Sequence, residues 1–202
     1  MPPRYKHPGH WQRVDHSFRC SRPTDACSLD CLCTGADLPR RFKKGSMSHP
    51  NADLLHRLFA SLNQHDYQEM AACYHPDATF RDIAFDLRGS KPIHAMWHMI
   101  SETDIRASFH LLEVDDRIGH VKLIDDYTFN STGRAVHNVI DSHFCLRDGL
   151  IIEHQDSCDA RIWAAMALGG VSGFLAGRFR FLRSLKARQL LREFIENHPE
   201  YQ

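Results

Sequence analysis

A chain of 202 residues, 43% apolar and 25% charged, is long enough for one ordinary domain and apolar enough to bury a core. Its 25 acidic and 25 basic residues balance, which removes the general electrostatic basis for nucleic-acid binding. The balance is uneven along the chain: residues 1–46 hold nine Lys/Arg against four Asp/Glu, so residues 47–202 hold sixteen against twenty-one.

Residues 1–46 lack a hydrophobic period and are rich in Pro, Arg, Ser and Cys, which reads as a disordered leader. Met47 offers an alternative start that would leave this leader outside the natural protein. Cys20, Cys27, Cys31 and Cys33 are spaced C-x6-C-x3-C-x-C. Zinc sites more usually show paired C-x2–4-C units, so no metal is expected there. Cys73, Cys145 and Cys158 are scattered through apolar segments and read as reduced core thiols. With no apolar stretch of a secretory signal near the start, the expected location is cytoplasmic.

From Asn51, a residue suited to capping, Leu54, Leu55, Leu58, Phe59 and Leu62 recur at helical spacing. Asp66 and Glu69 form a capping-box pattern that opens a short second helix through Met70 and Ala71. His75-Pro76-Asp77 breaks that pattern, and Ala78, Phe80 and Asp82 then alternate with Thr79 and Arg81 as in a half-buried strand. Ser90 and Pro92 start a third helix, with Ile93, Met96, Trp97 and Ile100 on its inner side.

The period then changes to two, predicting strands over 108–114, 120–130, 134–146 and 150–158, with Gly133 and Gly149 in the hairpin turns. Helices over 162–168 and 178–195 flank a glycine-rich joint at 169–173. The order predicts an α+β fold, a cone-shaped curved antiparallel β-sheet packed on N-terminal helices, with a C-terminal helical extension. The cone domain would span 47–160, and 161–202 would form an apolar, then basic tail. Residues 162–177 carry no charge, and a basic segment follows that could touch an anionic membrane surface. The commoner role for such a tail is a lid over the cone mouth or a helix packed on a second subunit.

The stretch Tyr74-His-Pro-Asp-Ala-Thr-Phe-Arg-Asp82, then Gly89 with Ile93 and Trp97, resembles the nuclear-transport-factor-2-like superfamily. Further matching motifs are Thr132-Gly-Arg134, Val139-Ile-Asp141, Asp148-Gly-Leu-Ile151 and Asp156-Ser-Cys-Asp159. That superfamily includes ketosteroid isomerases, SnoaL-like polyketide cyclases and limonene-epoxide-type hydrolases. The resemblance to the isomerases places Asp82 at the general base, Asp141 at the neutral acid that donates to an oxyanion, and Leu58 at the family's oxyanion tyrosine. The resemblance to the hydrolases places Asp156 and Asp125 at the two triad carboxylates, Leu123 at the arginine between them, and Asp82 at the asparagine that holds water.

Strand alternation gives three rows: Leu123, Asp125 and Tyr127; His137, Val139, Asp141 and His143; His154, Asp156 and Cys158. If all three face inward, catalytic Asp82, Asp141 and Asp156 share a cavity with substrate-binding Phe80, Trp97, Asp125, Tyr127, His143 and His154. Several carboxylates in one apolar cone cannot all stay ionised, which suits acid–base work. The leading expectation is a cofactor-free, metal-free isomerase or cyclase that transfers a proton on a hydrophobic carbonyl compound, acting as a homodimer. The alternatives are water addition to an epoxide and a non-catalytic module for ligand binding or dimerisation.

Overall fold

The structure is a computed structural model that describes residue 20 and residues 49–202. Apart from Cys20, the leader expected over 1–46 lies outside the described residues. Helix α1 (Pro50–Gln64) buries the expected stripe of Leu54, Leu55, Leu58, Phe59 and Leu62. Its cap is His49, whose ring accepts the Asn51 N–H, and Asn51 itself is buried and donates to the Asp115 carbonyl at 2.8 Å. His65 ends the helix in the left-handed region at φ 58°. Asp66 then caps α2 (Tyr67–Ala72), its carboxylate accepting the Glu69 N–H at 3.0 Å.

Strand β1 (Tyr74–Arg81) stops where the Asp82 carboxylate folds back to accept the N–H groups of Ala84 and Phe85. That turn returns the chain as β2 (Asp86–Arg88), a short strand that the alternation pattern does not reveal. After α3 (Ser90–Ser101) come β3 (Arg106–Val114), β4 (Ile118–Phe129), β5 (Arg134–Arg147) and β6 (Leu150–Ser157). The sheet order is β2-β1-β6-β5-β4-β3; β1 and β6 run parallel, and every other neighbouring pair is antiparallel.

The β4–β5 register decides which side chains enter the cone. Phe129 pairs with Arg134, Asp125 with Asn138, and Leu123 with Ile140. Directly opposed residues share a face, so Val136, Ile140, Ser142 and Phe144 lie with Leu123, Asp125 and Tyr127. The expectation for the row of His137, Val139, Asp141 and His143 is therefore corrected: it faces away from the helices, and Val139 is 43% exposed. The inner face packs on α1 and α3. Phe59 meets Phe109 and Phe144 at ring separations of 5.0 and 6.2 Å, and Trp97 meets Phe80 edge-on at 5.8 Å.

Beyond the sheet lie α4 (Ala160–Ala167), α5 (Gly170–Arg178), α6 (Arg180–Glu196) and a 3-10 turn (Pro199–Tyr201). The expected glycine-rich joint at 169–173 is mostly helix, because only Leu168 and Gly169 separate α4 from α5. Gly173 permits this crossing: a Cβ there would sit 2.7 Å from the Ala164 carbonyl oxygen. Helix α6 returns to α3, where Leu191 joins the core and Phe194 meets the His98 ring at 5.1 Å. No helix among the described residues is long and apolar enough to cross a membrane.

The expectation of reduced thiols is corrected at Cys145, which forms a disulfide with Cys20 on the outer face of the sheet. Cys73 and Cys158 are thiols. The spacing gave no hint of this because the two cysteines are 125 residues apart. Peptide mapping under non-reducing conditions, after alkylation at low pH, is expected to recover a Cys20–Cys145 cross-linked peptide and alkylated Cys73 and Cys158. Alkylated Cys145 in unreduced protein would contradict the pairing.

Candidate functional site

Parallel pairing of β1 and β6 sets Phe80 beside His154, while antiparallel pairing sets Ser142 opposite Asp156. Together with Asp125 on β4, this gathers carboxylates from two strands, β4 and β6, and from the turn after β1. Asp156 is the braced member. The Tyr74 hydroxyl lies 2.7 Å from His154 Nδ1, and His154 Nε2 lies 2.9 Å from Asp156 Oδ1. Burial raises the Tyr74 phenol well above its ordinary range, and the Asp156 charge adds to the rise. Tyr74 therefore keeps its proton and donates to Nδ1. The imidazole proton then sits on Nε2 and donates to Asp156. The rings of Phe80 and Phe144, centred 4.8 and 4.2 Å from that of His154, hold the imidazole in place.

The other two carboxylates are driven toward neutrality. Burial pushes Asp125 up to about 8, with the charges of Asp156 and Asp126 adding to it. Its Oδ1 is buried with no hydrogen-bond partner among the described residues. Burial also pushes Asp82 up to about 6; the N–H groups of Phe85 and Ala84 oppose that rise, Asp156 adds to it and His154 opposes it. At neutral pH the cone thus holds a neutral Asp125 and a mostly ionised Asp82. Tyr127 is pushed up to about 12, first by burial, and its oxygen accepts the Trp163 indole N–H at 2.7 Å. The phenolic proton remains to be donated.

Trp163 belongs to α4, which covers the end of the β4–β5 hairpin. Asp159 caps the helix, with its carboxylate accepting the N–H groups of Arg161 and Ile162. Thr132 donates to the Ala167 carbonyl at 2.5 Å and Arg134 to the Met166 carbonyl at 2.6 Å, which satisfies the last turn. Sequence reasoning missed Trp163; an indole one turn from a cap in a charge-free segment was the available signal. A cleft of about 200 Å³ reaches Asp82 and Asp156 between Ile83 and Cys158. A larger, open hollow of about 480 Å³, lined by Val139, Asp141 and Arg161, lies on the outer side of β5 and does not reach Asp125.

Of the nine residues named from sequence, the structure brings together Phe80, Asp82, Trp97, Asp125, Tyr127, His154 and Asp156. Asp141 and His143 are not among them. Asp141 is 42% exposed at its side chain and bonds Lys122 Nζ at 2.9 Å and His120 Nε2 at 3.4 Å. Partial burial would raise its carboxyl, but the Lys122 and His120 contacts hold it below the usual range, so it is a solvated ion-pair partner. His143 stacks on His120 at 4.2 Å on the same outer face. The positions of Leu58 and Leu123, both buried, bring no tyrosine or arginine into the cone. Among the described residues, a three-donor group able to hold a metal lies outside it, at His98, His198 and Glu200.

The SnoaL-like domain family matches residues 55–154. Those residues form a SnoaL-like domain with the nuclear-transport-factor-2-like fold. Similar solved structures include a "putative polyketide cyclase" of Silicibacter sp. TM1040, at 18% identity and a TM-score of 0.52 over 58% of this chain and 94% of that one. A "putative isomerase" of Bacillus subtilis gives 16% identity and a TM-score of 0.52 over 61% and 96%. An LEH-like epoxide hydrolase of M. tuberculosis gives 14% identity and a TM-score of 0.50 over 62% and 95%. At these identities the likeness is one of fold, and one fold hosts many chemistries. No curated protein matches the sequence.

Asp125 makes stability depend on pH. Unfolded, it titrates near 4; folded, it titrates at about 8. Between those values the native chain holds the extra proton, so the stability Asp125 supplies is complete below the lower value and is lost as pH rises through the upper one. Asp125→Asn is therefore expected to raise Tm by several degrees more at pH 8.5 than at pH 5. Equal Tm changes at both pH values, followed by scanning calorimetry, would contradict the buried neutral acid.

Proposed function

We propose that this SnoaL-like protein is a cofactor-independent acid–base enzyme that moves a proton beside the carbonyl group of an apolar small molecule. The observation that carries this reading is Asp125, a neutral carboxylic acid held in the same cone as the ionisable Asp82. Asp82 takes a proton from the carbon next to the carbonyl. The developing enolate oxygen receives hydrogen bonds from the Asp125 and Tyr127 hydroxyls, and Asp82 returns the proton to the same or a neighbouring carbon. Phe80 and Trp97, both buried, supply an apolar wall that strengthens these hydrogen bonds by excluding water. Asp156 is held in place by the His154 hydrogen bond; burial, with the Asp156 charge adding to it, keeps Asp125 protonated.

The His154–Asp156 hydrogen bond favours one second reading. A braced carboxylate can take a proton from water while neutral Asp125 gives one to an epoxide oxygen, yielding a diol. Among the described residues no arginine joins the two carboxylates, so the proton on Asp125 is what keeps them compatible.

Proton exchange separates the two readings without a known product. Native mass spectrometry of the purified chain would identify co-purifying ligands, and apolar ketones related to them would be incubated with the protein in D2O. Deuterium is expected at the carbon next to the carbonyl. The pH profile should rise near 6, where Asp82 ionises, and fall near 8, where Asp125 loses its proton. Asp82→Asn is expected to lower exchange by about 10²–10⁴-fold and leave ligand retention intact. No exchange together with diol formation from the matching epoxides would replace the first reading with the second. Neither reaction across the panel would leave ligand binding alone.

A further inference from the structure

We propose that His98, His198 and Glu200 form a divalent-metal site, suited to Zn²⁺, that fastens the C-terminal turn to α3. His98 comes from α3; His198 and Glu200 come from the end of α6 and the 3-10 turn. Their ligand atoms lie within 4.8 Å of one another. Two imidazoles and one carboxylate suit Zn²⁺ better than Mg²⁺ or Ca²⁺, which prefer all-oxygen shells, and the set leaves a fourth position for water.

The surroundings of the two histidines are those of ligands. His198 Nδ1 lies 2.8 Å from the Phe194 carbonyl, which can only accept, so the proton is on Nδ1 and the lone pair on Nε2. A metal-binding imidazole needs this arrangement, in which one nitrogen is tied to a backbone acceptor and the other is left to bind. His98 Nδ1 lies 3.1 Å from the Tyr201 hydroxyl, which can accept from it in the same way. Packing fixes both rings: His98 stacks on Tyr67 at 3.7 Å and 15°, and His198 stacks on Phe194 at 4.0 Å and 20°. Only Glu200, which is exposed, must swing inward. Donors around tetrahedral Zn²⁺ stand about 3.3 Å apart, given bonds near 2.05 Å, and a rotamer change of one long side chain covers the difference. His98 packs on α2 and the C-terminal segment while its neighbour Trp97 faces the cone, so this site does not depend on the reaction proposed above.

The test uses the full chain, stripped by chelator and titrated with ZnCl2 against a chromogenic chelator. Wild type, His198→Gln, Glu200→Gln and the His98→Gln/His198→Gln double variant are compared, so that zinc taken up by cysteines of residues 1–46 appears equally in all four. Wild type is expected to bind one zinc equivalent more than His198→Gln and the double variant. Glu200→Gln, a surface change that leaves the packing of both rings intact, is expected to weaken that equivalent about tenfold or more. Zinc in large excess should raise the Tm of wild type by about 5 °C more than that of His198→Gln. Equal zinc stoichiometry and affinity across all four proteins would overturn the proposal, as would unchanged affinity in Glu200→Gln.

Discussion

The interior of this cone depends on the hydrogen bond from His154 to Asp156. An apolar cavity tolerates one carboxylate charge only if something at hydrogen-bond distance prefers the charged form. His154 Nε2–H fills that role at 2.9 Å, and Tyr74 fixes the tautomer that makes it a donor. Burial first, with the Asp156 charge adding to it, raises Asp125 to about 8 and Asp82 to about 6, and the N–H groups of Phe85 and Ala84 oppose the rise at Asp82. Burial and unequal hydrogen bonding thus separate the protonation of two chemically identical side chains, Asp125 and Asp82.

The helices were legible in sequence because their signals are local. The stripe from Leu54 to Leu62 and the cap at Asp66 each need only a few neighbouring residues. The hairpin turns at Gly133 and Gly149 were equally plain. Facing was harder, because it depends on pairing between strands. Phe129 opposite Arg134 encloses four loop residues, so odd-numbered residues of β4 meet even-numbered residues of β5. The two odd rows could not both point inward. Val136, Ile140 and Phe144 carried the true apolar pattern of β5, while Asp141 drew attention through the family resemblance and His143 through its residue type and row. Long-range features left no local trace: Cys20 with Cys145 and His98 with His198 are both separations of about a hundred residues. Asp82 was legible as an awkward carboxylate at a strand end, and the turn it closes explains why it sits there.

The departures from the family's isomerase and hydrolase patterns point the same way. Leu58 and Leu123 extend the core to positions where a donor and a cation would otherwise enter, and both are buried. The remaining donors come from elsewhere, from Asp125 and Tyr127 on β4, with Trp163 of α4 orienting the phenol. The Tyr127 phenol is therefore oriented from the region after the sheet, since α4 lies beyond the part of the chain that the SnoaL-like domain family matches, 55–154.

The parallel pairing of β1 with β6 has a consequence for how the chain is made. Tyr74 and His154 are 80 residues apart, and the strand between them in sheet order is none. Until β6 has left the ribosome, β1 has only the three-residue β2 to pair with, and its other edge stays open. The meander of β3, β4 and β5 can form from neighbouring contacts, but the cone closes last and all at once. Such long-range closure is slow, and a chain cut short before Ser157 would present the open edge of β1 as an unpaired strand.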